Sequence, residues 1–285
     1  MKLAILSDIH GNYIALQSCL KHALEQKVDG YIFLGDYLGE FPYPQKTLEI
    51  LYELRSKYSC FFIRGNKEDY WINRRKDVKC DWKNGNHSIM AMLYNYENLT
   101  SADIDFFESL PIRQRITFDG TEPILACHGT PFANNKKLHP SNEDFEDILH
   151  NCGEENYIVC GHTHIQGIVY DGEKKILNTG AVGVPLKAPC KTQYMILTSD
   201  GWGWNPEFIS LEYDVERVIK ELHESGLWDL SPYWCRITQH LLYTGEVSHG
   251  TALFHVMKLN GYKDPWYNIA PSYWEEALRQ LGIDQ

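Results

Sequence analysis

The 285-residue sequence predicts a mixed α/β sandwich followed by a C-terminal helical extension. Three observations lead there. Residues 1 to about 66 alternate apolar runs with segments of helical period, the pattern of parallel strands covered by helices. From residue 113 the pattern changes to short strands joined by Asp119-Gly120 and Asp171-Gly172, which are hairpin signals. Beyond Asp214 the segments take helical period and become rich in Trp and Tyr.

The elements follow in order. Leu3–Leu6 is the first strand. A helix follows Asn12, with Ile14, Leu16, Leu20, Ala23 and Leu24 near helical spacing. Tyr31–Leu34 is the second strand. Pro44, a residue favoured in a first helical turn, opens a second helix carrying Leu48, Leu51 and Leu54. Phe61–Ile63 is the third strand. Residues 68–110 read as helical and partly irregular; Ser101 to Ile104 open a short helix that Pro111 ends. Arg113–Phe118 and Ile124–Cys127 read as strands, 141–151 as a helix, and Tyr157–Cys160 as a strand. Ile168–Tyr170 should pair with Lys175–Asn178, and Tyr194–Thr198 and Phe208–Glu212 add two more strands. Val215–Ser225 is helical with Gly226 as its cap, and further helices are expected near 232–242 and 249–260. Two units result: 1–212, and an aromatic-rich helical extension or lid at 213–285.

Composition narrows the function. The net charge of −11 argues against general nucleic-acid binding, which needs a basic face. No apolar run reaches the length of a membrane span. The chain enters a strand at once without signal-peptide architecture, so a cytoplasmic protein is expected. The eight cysteines form no CxxC pair and read as reduced thiols; Cys60, Cys127 and Cys160 lie in apolar runs as small core residues.

The chemistry lies at the strand ends. Asp8-Ile9-His10, Gly35-Asp36, Gly65-Asn66, His128-Gly129 and Gly161-His162-Thr163-His164 each follow an apolar run. Strands ending on one sheet edge would bring Asp8, His10, Asp36, Asn66, His128, His162 and His164 to one spot. Singly, an Asp at a strand end is a common turn or cap residue. The weight lies in five such fragments in order. Their nitrogen and oxygen donors suit a pair of Mn, Fe or Zn ions, which together activate water and clamp a phosphoryl group.

These fragments resemble the signature of the calcineurin-like metallophosphoesterases: D-x-H, G-D, G-N-H-E/D, a later H, and G-H-x-H. The resemblance covers roughly residues 1–212. It implies a four-layer α/β/β/α sandwich and a two-metal phosphoesterase. It further implies that Asp8, His10 and His164 hold one metal and Asn66, His128 and His162 the second. Asp36 would bridge both, and a metal-bridging hydroxide would be the nucleophile. Asp36, Asn66, His128 and Lys67 would then form the catalytic centre. Ser7–Asn12 and Asn178–Pro185 resemble a bacterial subgroup of small phosphodiesterases and asymmetric diadenosine-tetraphosphate hydrolases. The second segment departs from that subgroup's N-P-G-S-V-G-x-P by replacing Pro and Ser. It is read either as a closure over the site or as a substrate contact. The subgroup implies a small-molecule phosphoester or nucleotide substrate, with phosphodiesters or dinucleoside polyphosphates favoured. A phosphomonoesterase or phosphoprotein phosphatase is the alternative, and a metal-binding scaffold the reading outside enzymes. Asn12 should border the phosphate, with a helix N-cap as the competing role.

One position departs from the signature. Gly65-Asn66-Lys67-Glu68 places Lys67 where the family carries its acid His. An ordinary Lys titrates at about 10.4 and is a poor proton donor at neutral pH. Lys67 would stabilise phosphoryl charge or face solvent, and His87 and His139 become candidate acids. Trp228, Tyr233, Trp234, Trp266, Tyr267, Tyr273 and Trp274 would stack on a nucleobase, or else build a core or the interface of a homo-oligomer.

Overall fold

Short apolar runs build two five-stranded mixed sheets among the residues described by the computed structural model: 1–77, 82, 87–199, 201 and 203–283. Cys80 and the side chain of His87 lie outside that description. The first sheet contains β1 (Lys2–Leu6), β2 (Gly30–Phe33), β3 (Ser59–Phe62), β9 (Lys191–Ser199) and β10 (Trp204–Glu212), in the order β10-β9-β1-β2-β3. β1, β2 and β3 are parallel; β9 and β10 join antiparallel. The second contains β4 (Arg113–Ile116), β5 (Ile124–Cys127), β6 (Tyr157–Cys160), β7 (Gln166–Asp171) and β8 (Lys174–Thr179), in the order β4-β5-β6-β8-β7. β5, β6 and β8 are parallel, with β4 and β7 antiparallel at the edges.

Side-chain alternation makes the layers. Leu3, Ile5, Ile32 and Leu34 face the second sheet and pack with Ile124, Ala126, Tyr157, Val159 and Leu177. Their neighbours Ala4, Leu6, Tyr31 and Phe33 face outward, against α1 (Tyr13–Glu25), α2 (Pro44–Lys57), α3 (Asn66–Arg75), α4 (His87–Glu97) and α5 (Ser101–Ser109). On the second sheet Leu125, Ile158 and Ile176 face α6 (Phe145–Asn151). The result is an α/β/β/α sandwich of mixed sheets, as expected. α6 begins four residues later than expected, because Asn142 is held in a turn by its N–H on the His139 carbonyl.

The extension folds onto the sandwich. It comprises α7 (Val215–Glu224), α8 (Leu227–Leu230), α9 (Pro232–Thr244), α10 (His249–Leu259) and α11 (Pro271–Gln280). Val218, Leu222, Trp234, Ile237, Leu241, Val256 and Trp274 share one apolar cluster with Tyr13, Ile14, Phe41, Ala181 and Val184 of the first unit. The sequence reading omitted α8 and α11. Tyr233, Trp234 and Trp274 are buried against one another, with ring centroids 6.0 and 6.1 Å apart, so these three are core and not open stacking faces. No helix among the described residues is long and apolar enough to cross a membrane.

Candidate metal centre

The carboxyl ends of the parallel strands deliver the site. β1 runs into Asp8 and His10, β2 into Asp36, β3 into Asn66, β5 into His128, and β6 into His162 and His164. Such strand ends are the usual ligand side of an α/β sheet. Backbone bonds lock the loops together: His10 N–H to the Asp36 carbonyl at 2.9 Å, Gly161 N–H to His128 at 2.8 Å, and Gly183 N–H to Asp8 at 2.9 Å. Asp8, His10, Asp36, His162 and His164 all adopt left-handed φ, between 53° and 64°. That region is uncommon for non-glycine residues, and its concentration at one locus is a mark of functional strain. The loops also approach closely. A Cβ on Gly161 would sit 2.0 Å from Ser7 Oγ and 2.5 Å from Asp8 Oδ2.

The side chains converge. Asp8, His10 and His164 offer three donor atoms within 4.8 Å of one another, and so do Asp8, Asp36 and His128. His164 Nε2 lies 3.2 Å from Asp8 Oδ1. Asp36 spans the two groups, with Oδ2 at 3.7 Å from His10 Nε2 and Oδ1 at 3.5 Å from His128 Nε2. Asn66 Oδ1 is 3.2 Å from His128 Nε2. The His162 ring lies edge-on to His128, centroids 5.1 Å apart, and its backbone N–H bonds Asp8 Oδ2 at 2.9 Å.

Cation fit can be tested on the polar atoms. Asp8 Oδ1 and His10 Nε2 are buried without a hydrogen-bond partner among the described residues. A buried orphan of this kind costs on the order of 1–3 kcal/mol, more when charged. His128 Nδ1 donates to the Leu34 carbonyl at 2.8 Å, so its Nε2 turns a lone pair toward the Asn66 oxygen. Two facing acceptors and a bare carboxylate oxygen fit a cation among them. The electrostatics agree. Burial works against the charged form of His10, but Glu40, Asp8 and Asp36 outweigh it and hold the imidazole pKa up at about 10. Burial likewise opposes charge on Asp8, yet His164 and His128 pull its carboxyl well below the usual range. His162, largely desolvated and beside His128, is pushed down to about 4.

A second layer orients these groups. Glu40, fully buried, accepts a short hydrogen bond from His10 Nδ1 and a 2.7 Å bond from Lys67 Nζ. Glu68 accepts from the backbone N–H groups of Asp36, Tyr37 and Gly65 at 2.8–2.9 Å, joining the loops after β2 and β3. Lys67 N–H bonds Asp36 Oδ1 at 2.8 Å.

The remaining predicted residues fall as follows. The Lys67 ammonium is held on Glu40 with its side chain 13% exposed, so it does not stand free in solvent. Asn12 caps α1 by accepting from the Ala15 N–H at 3.1 Å, while its amide donates to the Gly183 carbonyl and to Tyr213 Oη, both at 3.2 Å. Both ends of that amide are in use, which is the N-cap role. In the 178–185 segment, Asn178 donates to the Gly161 carbonyl at 2.6 Å and buttresses the GHTH loop. His139 is exposed and bonds Ser141 at 2.8 Å. The sequence reading missed Glu40 and Glu68. Glu68 was visible as the acid of the G-N-x-E fragment. Glu40 carries no local signal.

The comparisons agree with this site. The family model for the calcineurin-like phosphoesterase superfamily domain matches residues 1–201. An uncharacterized protein of Methanocaldococcus jannaschii is 26% identical over 252 residues, covering 81% of this chain and 94% of that protein. Among solved structures, a hypothetical protein from Pyrococcus horikoshii OT3 is similar with a TM-score of 0.70 at 20% identity, covering 87% of this chain and 99% of that one. A metallophosphoesterase from Sphaerobacter thermophilus gives 0.66 at 24% identity, covering 86% and 100%. At these identities the structural likeness speaks to fold. The family match spans most of the chain and contains every strand-end fragment at which the donors converge. The chain therefore belongs to the calcineurin-like phosphoesterase superfamily and is a metal-dependent hydrolase.

Proposed function

We propose that this chain is a two-metal phosphodiesterase or phosphoanhydride hydrolase acting on small molecules, with dinucleoside polyphosphates among its substrates. The observation that carries the reading is the position of Asp36, with one carboxylate oxygen toward His10 and the other toward His128. Asp8, His10 and His164 would hold one ion; Asn66, His128 and His162 the other; Asp36 would serve both. The ions would supply an activated water and neutralise phosphoryl charge. The protein's own part is to fix the donors, through Glu40 on His10 and the Leu34 carbonyl on His128.

Preference for diesters and anhydrides rests on Lys67. Its ammonium is engaged by Glu40, and burial is outweighed by the Glu40 and Asp36 charges, which raise its pKa. It is a poor donor to an alkoxide. Leaving groups that depart without a proton, such as nucleotide phosphates and phenolates, then have the advantage.

The test is hydrolysis by chelated protein reloaded with Mn²⁺, Fe²⁺ or Zn²⁺. The panel is bis(p-nitrophenyl) phosphate, p-nitrophenyl phosphate, an alkyl monoester and a dinucleoside tetraphosphate. The diester and the tetraphosphate should turn over fastest and the alkyl monoester slowest. Asp36→Asn should lower turnover more than His164→Ala does. Unchanged turnover in Asp36→Asn at full metal content would sink the bridging role, and an alkyl monoester as best substrate would sink the leaving-group argument.

A further inference from the structure

The extension holds a cavity of about 280 Å³ that shares no residue with the donor clusters. Arg236, Gln239, His240 and Tyr243 line it, and their helical spacing puts them on one side of α9. Trp234, Ile237 and Leu241, on the other side of the helix, enter the apolar cluster. Trp228 of α8 and Ile283, which follows α11, complete the lining.

The lining has an aromatic surface and free polar groups. The Trp228 indole is braced by the His223 ring, stacked 4.1 Å away at 21°. Arg236 Nη2 donates to the Ile283 carbonyl at 2.9 Å, and Nη1 donates to Glu275 Oε2 at 3.4 Å. These bonds fix the guanidinium, and Glu275 offsets its charge, so the cavity suits a neutral ligand better than an anion. Tyr243 Oη donates to Glu216 at 2.9 Å. The Gln239 amide and the His240 ring have no hydrogen bond among the described residues. An amide offers a donor and an acceptor side by side, the pair that meets the N6 and N7 edge of adenine. An aromatic surface to stack on and a polar group to read an edge are together the chemistry of base recognition. The cavity is at the small end of ligand pockets, enough for a base with part of its ribose.

The end of α9 leads back to the metal centre. Cys190 N–H donates to the Leu242 carbonyl at 2.8 Å, and Lys187 N–H to the Gly245 carbonyl at 2.7 Å. Gly245 caps the helix with a φ of 70°, and a Cβ there would lie 2.7 Å from the Ala188 nitrogen. In the same segment, Leu186 N–H donates to the His164 carbonyl at 2.9 Å. A short strap, 186–190, therefore ties the helix that lines the cavity to a candidate metal donor.

We propose that the α9 cavity is an effector site for a purine nucleoside, with the base on Trp228 and its edge on Gln239, and that occupancy is felt at His164 through residues 186–190. The site goes beyond the phosphoesterase reading and does not depend on which phosphoester the metal centre cleaves.

The experiment is calorimetric titration of the full chain, Mn²⁺-loaded and chelated, with adenosine, uridine and ribose. Adenosine should bind both forms with a Kd below about 1 mM, uridine several-fold more weakly, and ribose not measurably. Trp228→Leu keeps an apolar surface without the ring and should weaken adenosine about tenfold or more, the value of one stacked base. Gln239→Leu, on the side of α9 turned from the apolar cluster, should bring adenosine and uridine to within about twofold of each other. Adenosine should shift Mn²⁺ affinity about fivefold, and Mn²⁺ should shift adenosine affinity by the same factor, because coupling is reciprocal. An adenosine Kd above about 1 mM overturns the proposal, and so does equal binding of ribose. Adenosine affinity that survives both substitutions overturns it as well, since the nucleoside then sits elsewhere. Binding seen only after Mn²⁺ loading assigns the nucleoside to the metal centre and overturns the separate site. Adenosine binding that the two substitutions weaken, with Mn²⁺ affinity unchanged, overturns the effector role.

Discussion

Glu40→Gln tests whether the metal side is organised by a buried carboxylate that the family signature does not mark. Glu40 is fully buried between His10 Nδ1 and Lys67 Nζ. The substitution keeps the volume and removes the charge. Lys67 then keeps its ammonium in a mostly covered position without its partner. Breaking a buried pair by neutralising one member costs about 3–5 kcal/mol. His10 also loses the carboxylate that fixes its ring and raises its basicity, and loss of such a partner lowers metal affinity about 10–100-fold. Two assays read these effects separately: urea unfolding of metal-free protein, and calorimetric titration with Mn²⁺. The double variant Glu40→Gln, Lys67→Met removes both members of the pair. It should recover most of the lost stability and none of the lost metal affinity, because the first cost belongs to Lys67 and the second to His10. Unchanged Mn²⁺ affinity in Glu40→Gln would refute the orienting role. A double variant no more stable than the single would refute the pair as the source of the stability loss.

Two further outcomes follow from distances and burial. Gly161→Ala should weaken metal binding and cut turnover by about tenfold or more, since its Cβ would collide with Ser7 and with the Asp8 carboxylate, and small misplacement of reacting groups is costly; metal titration at wild-type affinity would contradict the close approach. Burial pushes the His249 imidazole from its ordinary 6.5 down to about 3, so the unfolded chain binds the extra proton between those values. Its contribution is present above pH 6.5 and lost as pH falls toward 3, with a slope of up to about 1.4 kcal/mol per pH unit. His249→Gln should flatten the stability profile of metal-free protein between pH 4 and 6 by up to one proton, and superimposable profiles would show that the imidazole is not buried neutral.

The convergence of these side chains was legible because each lies within a few residues of a strand end. Strand periodicity places Asp8, Asp36, Asn66, His128 and His162 on one edge before any contact is known. The sandwich was legible for the same reason: the alternation of Leu3 and Ile5 with Ala4 and Leu6 assigns two faces and so two further layers. What escaped depends on side chains meeting across the fold. Nothing near Glu40 distinguishes an internal carboxylate from a surface one, and its role appears only with His10 and Lys67 beside it. That same carboxylate engages the Lys67 ammonium and keeps it from standing free in solvent. α11 was readable in principle, with Pro271 in its first turn and Trp274, Ala277 and Leu278 on one side, but the preceding aromatic segment blurred its start.

Burial is uneven across the site. Asp8, Asp36 and His128 are buried, whereas His162 and His164 remain partly exposed. The extension's apolar cluster includes Phe41, beside Glu40, and Ala181 and Val184, on the segment that bonds the Asp8 loop. The open side of the donor cluster is therefore the GHTH loop. The strand-end loops supply the orphaned buried atoms and left-handed backbone that suit a bound cation. The extension supplies no metal donor in either cluster. Its contribution is apolar packing against Phe41, Ala181 and Val184. The donor cluster and the apolar packing behind it thus come from different parts of the chain.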